Sequence, residues 1–394
     1  MSAATSIVSK GIPGGADVAP SDEFDVVVIG AGIAGTSVAA ELAQTRRVLL
    51  LEQETQPGYH TTGRSAALFT VSYGPPIIRA LTRASEAFYR APPAGFVDTP
   101  LLSPRGAMFI ATTDQREALA AEAQELKSSI TEIDAAQARQ IVPMLRETYV
   151  DGAFIDKGAS DIDVHALHQA YLKVLRARGG EMRTKAQVTG LSRNGVDWQV
   201  EMAQGTVSAP IVVNAAGAWA DQLAVMAGLP PAGLTPKRRT ALLVAAPDGM
   251  DITTWPLVVD VEEQFYLKPD AGKLLISPAD TTPSAPCDAQ PDEMDVAICV
   301  DRIETAFEIS VRRIDHKWAG LRSFFPDGCP IAGFDPAAPG FFWLAGQGGY
   351  GIQSAPALAR TAAALITGKP IPDDIADQGV SADALSRDRP GLTT

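Results

Sequence analysis

Cysteine and histidine are scarce in this chain, and their scarcity removes several chemistries at once. Cys287, Cys299 and Cys329 are an odd number with no C-x-x-C pair and no metal-ligand spacing, so reduced, non-catalytic thiols are expected. Of the four histidines, His165 and His168 stand at i, i+3 on a predicted helix over 161–178, but no carboxylate or cysteine constellation accompanies them. No metal site is therefore expected. No histidine belongs to a nucleophile–base–acid arrangement either, which leaves nucleophilic hydrolysis without support. Long apolar runs are missing too: none approaches the ~20 residues that a membrane helix requires. Positive charge is in deficit, with 33 Lys and Arg against 46 Asp and Glu and a net charge of −13, so nucleic acid and anionic membrane surfaces are repelled at long range. Residues 1–22 lack the apolar stretch of a secretory leader, and a flexible extension of a cytoplasmic protein is expected there.

What the chain does contain is enough apolar material for two packed lobes, with 46% hydrophobic residues over 394 positions. The stretch that organises it is Asp25 to Glu52, DVVVIGAGIAGTSVAAELAQTRRVLLLE. Val26 to Ile29 is a continuous apolar run suited to a strand buried on both faces, and Ile33 to Leu42 an alanine-rich helix. Gly30, Gly32 and Gly35 follow the pattern G-x-G-x-x-G. The first permits a sharp turn, the second lets a pyrophosphate approach the main chain, and the third lets helix and strand close up, with the helix N-terminus facing the phosphates. Glu52 follows Gly30 by 22 residues, where a carboxylate accepts ribose hydroxyls and repels a 2′-phosphate. This spacing predicts a dinucleotide site and argues against NADP; the motif alone leaves FAD and NAD both open.

Residues 53–76 show little periodicity, and an irregular segment directly after a nucleotide unit is more often functional than idle. A helix is predicted over 76–90, a strand over 108–111, and polar helices over 114–126 and 135–141. Strands follow at 188–191 and 198–202, joined in the style of a hairpin, and a buried strand begins at Ile211. From Pro236 the chain turns strand-rich, with runs at 240–245, 257–261, 265–268 and 273–276. Helices are predicted over 294–309 and 354–366. The α/β pattern brackets a β-rich middle, so two lobes are expected, with the chain crossing between them more than once.

Several stretches, QPGYHTTGRSAA, PPAGF with LLSPR, KRR, FYLKPDAG, WAGLRSF and GQGGYGIQ, occur in one order. Together they resemble the FAD-dependent amine dehydrogenases and oxidases of the D-amino acid oxidase/glycine oxidase class, and within it the bacterial D-arginine dehydrogenases. The resemblance covers essentially everything after residue 22. It implies an α/β, two-domain fold: a Rossmann-like FAD-binding domain over 23–72, 150–232 and 325–394, and a discontinuous, mainly antiparallel substrate domain over 73–149 and 233–324.

It further implies FAD held by Gly30, Gly32, Gly35 and Glu52, with Arg64, Ser65 and Ala66 beside the pyrophosphate and isoalloxazine and Val188 near the adenine. Gly346, Gly348, Gly349, Tyr350 and Gly351 would form a loop under the flavin. Such a loop feeding a helix N-terminus suits the negative charge that reduced flavin carries at N1 and C2. For the substrate, the resemblance implies Arg322 as a bidentate clamp on an amino acid carboxylate, a geometry lysine cannot reproduce. Tyr266 would donate to the same carboxylate, and Tyr73 would cover the site. Arg239, Gly320, Gln353 and Thr70 would be further contacts, and hydride would pass from Cα to flavin N5. Non-covalent FAD and a quinone-like acceptor are the expectation, and oxidase against dehydrogenase chemistry is not legible.

Two positions depart from the D-arginine pattern. Ala107 stands where a glutamate would receive the substrate guanidinium, and Leu68 where a histidine would stand. Stranding a cation beside alanine costs several kcal/mol, so D-Arg and D-Lys are expected to be poor substrates and neutral 2-amino acids better ones. The same clamp would serve N-alkyl amino acids, opines or 2-hydroxy acids, and a non-catalytic flavin-binding module would use the same nucleotide site.

Overall fold

The computed structural model describes residues 23–127 and 129–392; the extension expected over 1–22 lies outside them. The glycine motif begins a strand–helix–strand unit, β1 (Val26–Ile29), α1 (Ile33–Leu42) and β2 (Val48–Leu51). These strands lie inside a six-stranded sheet ordered Ile331–Phe334, Phe341–Ala345, Ile211–Asn214, β1, β2 and Glu181–Arg183. All neighbours are parallel except the edge pair Ile331–Phe334 and Phe341–Ala345. Both faces are covered, which is why β1 reads as an unbroken apolar run. Val26 and Val28 meet α1 and the helices Val164–Ala177 and Gly351–Ile366. Val27 and Ile29 meet a three-stranded antiparallel sheet made of Val188–Asn194, Asp197–Met202 and Gly205–Ala209, centred on the buried Trp198. The last of those strands has no clear signal in the sequence.

The second sheet has eight strands, ordered Ile314–Phe324, Thr235–Ala245, Lys273–Ser277, Tyr266–Asp270, Leu257–Asp260, Ala107–Ala111, Gly152–Asp156 and Thr131–Asp134. It is antiparallel throughout except where Leu257–Asp260 runs parallel to Ala107–Ala111. Its two faces differ. Met108, Ile110, Val258, Leu267 and Leu274 pack against the helix Glu293–Ala306. Ala107, Phe109 and Val259 point the other way and gather Leu68 and Tyr266 around them. Ala123 and Leu126 of the helix Arg116–Leu126 join that second cluster, and the different composition of the two faces follows from strand alternation.

Several boundaries differ from the sequence reading: the strand expected over 240–245 is Thr235–Ala245 and the helix expected over 354–366 is Gly351–Ile366, and three further differences bear on the site. The helix predicted over 161–178 is Val164–Ala177: Asp163 caps it by accepting from Ala166 N–H at 2.8 Å. Asp161 and Ile162 instead join a small sheet with Leu68–Phe69 and Leu102–Pro104. The helix predicted to reach 309 ends at Ala306, where Phe307 turns extended and is buried. The strand Gly152–Asp156 pairs in the eight-stranded sheet, whereas the expected segment 150–232 places it with the nucleotide-binding strands; the return to the six-stranded sheet comes at Glu181–Arg183. Among the described residues no helix is long and apolar enough to cross a membrane.

Candidate active site

One cavity of ≈ 390 Å³ runs from the carboxyl ends of the parallel strands to the face of the eight-stranded sheet that carries Ala107, Phe109 and Val259. The residues after β1 and β2, Gly30 and Glu52, line one end, with Ala215 and Gly346 after two further parallel strands. This is the crevice where open α/β sheets take their ligands. The turn is built as its glycines demand. Gly30 has φ +103°, and a Cβ there would lie 2.4 Å from Ala215 O; one on Gly35 would lie 1.8 Å from Gly30 O. Glu52 is buried and held rigidly, its two oxygens accepting from Ala31 N–H and Glu54 N–H at 3.0 Å each. Thr62 Oγ1 accepts from Ile33 N–H at 3.0 Å, bringing the irregular segment onto the start of α1.

Of the sequence-derived candidates, all but Gly35 and Tyr350 line this cavity. Gly35 lies beneath the turn, as its backbone contact requires. Tyr350 stands one layer back, its ring 5.1 Å from that of Tyr73 and 5.8 Å from the Arg322 guanidinium. Arg64 is turned partly away: its guanidinium pairs with Asp288 and donates to Ala289 O at 3.0 Å and Ala319 O at 2.9 Å. What Arg64 offers the cavity is therefore its backbone and stem, while Ser65 and Ala66 follow it along the wall. Val188 lines the cavity beside Gln187 on the Glu52 side, where Ala186 N–H donates to Glu52 O at 2.8 Å.

Arg322 lies on the strand Ile314–Phe324, opposite Lys237. Its guanidinium is flanked by Phe324 and Tyr350, and Nη2 donates to the Tyr73 hydroxyl at 3.4 Å. Nε has no partner, and among the described residues no carboxylate lies within ion-pair distance of it. Burial works against the charge of Arg322, but the Tyr73 and Tyr350 oxygens and Glu263 outweigh it and raise its pKa. It is a permanent cation. Burial likewise pushes the Tyr73 hydroxyl up, partly opposed by Arg322, so Tyr73 is a neutral donor. Arg239 differs: its Nε donates to Asp280 O at 3.0 Å and its Nη2 stands 3.9 Å from Glu263.

Seven buried side-chain polar atoms lack a hydrogen-bond partner among the described residues, and four of them, Arg322 Nε, Gln347 Nε2, Gln353 Nε2 and Ser323 Oγ, belong to residues lining this cavity. Donors left bare in a buried site cost 1–3 kcal/mol each unless a ligand meets them. The helix Gly351–Ile366 also begins here without a side-chain cap, directing its N-terminal partial charge at the cavity. A glycine turn at one end, a fixed acid beside it and bare donors with a helix start at the other fit a long, polar, anionic cofactor with an electron-accepting ring. Among the described residues no group of three His, Cys, Asp or Glu side chains could hold a metal; His168 instead makes a 3.0 Å hydrogen bond with Ala31 O.

The sequence reading missed Gln347, Ser323 and Glu263 in the lining, and Asp156 behind it. Glu263 had one local signal, its place in a tight turn between two strands, where it adopts φ +53°. Leu68, Ala107, Phe109, Leu257, Val259 and Tyr266 form a mainly apolar stretch of the wall.

Comparison with known proteins agrees with this geometry. The chain is 26% identical over 359 residues to glycine oxidase of Pseudomonas aeruginosa, covering 87% of this chain and 95% of that one. It is 27% identical over 290 residues to mitochondrial dimethylglycine dehydrogenase of Rattus norvegicus, where the match covers 68% of this chain and 33% of the relative. The crystal structure of glycine oxidase from Geobacillus kaustophilus superposes with a TM-score of 0.76 at 23% identity, over 88% of this chain and 95% of that one. L-amino acid deaminase from Proteus vulgaris gives 0.76 at 16%, over 96% and 100%. The family model for FAD dependent oxidoreductases (DAO) matches residues 25–365, and the chain belongs to that family.

Proposed function

We propose that the protein oxidises the C–N bond of carboxylate-bearing amines, with neutral or apolar D-amino acids preferred over D-Arg and D-Lys. The observation that carries this reading is Arg322: a half-buried side chain with a buried, bare Nε, no carboxylate partner among the described residues and an apolar stretch of wall lining the same cavity. An unpaired buried cation is costly, and a substrate carboxylate entering as a bidentate partner removes that cost.

Gly30, Gly32 and Glu52 would hold the adenosine and pyrophosphate half of FAD. Ser65, Ala66, the 346–351 loop and the start of the Gly351–Ile366 helix would hold the flavin half, non-covalently. Bound FAD supplies the two-electron acceptor for the hydride that leaves Cα, and the imino acid so formed takes up one water to give a 2-oxo acid and ammonia. Arg322 fixes the carboxylate, with Tyr73 and Tyr266 as neutral donors around it. Gln353 faces the amine, and Leu68, Phe109, Leu257 and Val259 receive the side chain and keep water out. Orientation of this kind is the main contribution a protein can make to hydride transfer. Ala107 offers no acid to a cationic side chain. A quinone-like acceptor would take up the electrons.

N-alkylated glycines form the second reading. The same clamp accepts them, the apolar wall suits an N-methyl group, and dimethylglycine dehydrogenase is among the relatives. Anaerobic mixing of the flavin-loaded protein with both enantiomers of each amino acid and with N-methyl glycines tests both. Rapid bleaching by D-Leu, D-Met or D-Phe with ammonia as product supports the first; bleaching by the N-methyl compounds with formaldehyde as product supports the second. D-Arg reducing the flavin as fast as D-Leu would sink the substrate preference, and acid precipitation leaving the yellow colour in the pellet would sink non-covalent attachment.

A further inference from the structure

Behind the cavity wall lies a carboxylate that the proposed reaction does not use. Asp156 ends the strand Gly152–Asp156 and is 3% exposed. Its Oδ2 accepts from Thr70 Oγ1 at 2.7 Å and from Ser72 Oγ at 2.8 Å, and its Oδ1 accepts from Gly158 N–H at 2.8 Å. All three donors are uncharged, and no ion pair joins Asp156 among the described residues. Burying a carboxylate without a cation is expensive, so what it holds in place deserves a reason.

Thr70 supplies that reason. Its hydroxyl is tied to Asp156, and its backbone N–H donates to Gln353 Oε1 at 3.4 Å. A backbone N–H can only donate, so the Gln353 atom facing it must be the oxygen, and the other end of the carboxamide must be the NH2 group. Gln353 is 3% exposed, it lines the cavity, and its Nε2 has no partner. A freely turning glutamine could offer an amine either an acceptor or a donor. A fixed one offers a donor alone, which matches the lone pair of a neutral amine and opposes an ammonium, whose N–H groups need acceptors. The neutral amine is the form whose lone pair assists departure of the Cα hydride.

We propose that Asp156 is a positioning residue: acting through Thr70, it locks the Gln353 carboxamide with its NH2 group toward the cavity, as a donor set for the neutral amine of the substrate. This rests on the amine-oxidising reading above. Asp156 touches neither substrate nor cofactor, and it acts only by holding a segment whose own sequence gives it no regular structure around residues 70–72.

The test uses the flavin-loaded full chain and two unreactive ligands followed by the perturbation of the visible flavin band. 2-Methylalanine carries both amine and carboxylate but no Cα–H to lose, and 2-methylpropanoate is the same skeleton without the amine. Asp156→Asn is expected to weaken 2-methylalanine by about tenfold, the value of roughly one hydrogen bond, and to leave 2-methylpropanoate within about twofold. Ser72→Ala, which removes a hydroxyl bonded to both Thr70 Oγ1 and Asp156 Oδ2 and lies off the cavity lining, is expected to act in the same direction and carries the test should Asp156→Asn fail to fold. Asp156→Asn combined with Gln353→Ala is expected to bind 2-methylalanine no more weakly than Gln353→Ala alone, because one acts through the other. Equal weakening of both ligands, unchanged affinity in both single variants, or additive losses in the double variant would overturn the proposal by showing a merely structural role. A wild-type protein that binds neither ligand overturns the amine-oxidising reading, and this proposal with it.

Discussion

Gly349 lies flat against Arg322: a Cβ built on that glycine would stand 2.0 Å from Nη2, 2.3 Å from Nε and 2.4 Å from Cζ of the guanidinium. The glycine loop and the proposed clamp are therefore one surface. Gly349→Ala is expected to push the Arg322 side chain off its position while leaving the backbone free to fold, since the clash is with a side chain alone. Gly35→Ala is expected to behave differently, because its Cβ would meet a backbone oxygen, Gly30 O, at 1.8 Å. Overpacking of that kind costs about 1–3 kcal/mol or more. Flavin content and amino acid affinity separate the two: Gly349→Ala keeps the flavin and loses affinity for substrate, whereas Gly35→Ala loses the flavin.

Replacing Arg322 itself addresses charge and shape separately. Arg322→Lys keeps the charge but loses the fork that meets both carboxylate oxygens, and Arg322→Met loses both. Truncating one partner of a buried charge pair costs about 2–5 kcal/mol, so kcat/KM is expected to fall by roughly 10²-fold or more in Arg322→Met. Arg322→Lys should fall between Met and wild type. Tyr73→Phe removes a single donor to the site and should cost about 1 kcal/mol. Steady-state kinetics with the best substrate of the anaerobic panel checks the order, and an Arg322→Met protein as active as wild type would refute the clamp.

The parts of this molecule that were legible in its sequence are those set by neighbours along the chain. The β1–α1–β2 unit is defined by glycines and an acid within 22 residues of one another, and its helix and strands begin and end where the apolar pattern does. Residues such as Arg322 and Tyr266 stood out through motif resemblance, yet the bare Nε of Arg322 depends on which side chains fail to reach it in space, and no local pattern records that. Asp156 was illegible for the same reason, since Thr70 and Ser72 are 86 and 84 residues away. Asp161 shows the converse error: its helix-compatible surroundings were overridden by pairing with Leu68 and by ion pairs to Lys268 and Arg105, both at 2.7 Å. Tertiary partners decided it.

Ala107 sits fully buried in the apolar wall beside Phe109 and Val259. Ala107→Glu would place an acid among these apolar side chains, and a loss of about 2–4 kcal/mol in stability is expected in the ligand-free protein. A substrate with a cationic side chain would supply it with a partner. D-Arg or D-Lys should then reduce the flavin faster than in wild type, by about tenfold or more if one charge-assisted pair forms, while D-Leu slows. Stopped-flow rates for the three substrates in the two proteins give the answer, and unchanged discrimination would show that Ala107 does not face the substrate side chain.

Glu122, on the helix Arg116–Leu126, provides a test by pH. Burial pushes its pKa up, and the nearby Glu263 and Glu125 add to the rise against the opposing pull of Arg79, to about 7. A carboxyl that titrates higher in the folded chain than in the unfolded one binds more protons when folded, so its contribution is fully present below the ordinary value of 4.5 and is lost as pH rises through 7. Glu122→Gln removes the group that must ionise against its surroundings. The variant is expected to equal wild type in thermal midpoint near pH 4, below the ordinary value of 4.5, and to exceed it near pH 8. The gain should be no more than about 1 kcal/mol, because Glu122 is partly exposed and solvent screens its repulsion. Because Glu263 lines the cavity and interacts with Glu122, the same ionisation places a second negative charge near that wall. Affinity for a simple carboxylate such as 2-methylpropanoate should accordingly weaken between pH 6 and 8 in wild type and less so in Glu122→Gln; identical profiles in the two proteins would separate Glu122 from the site.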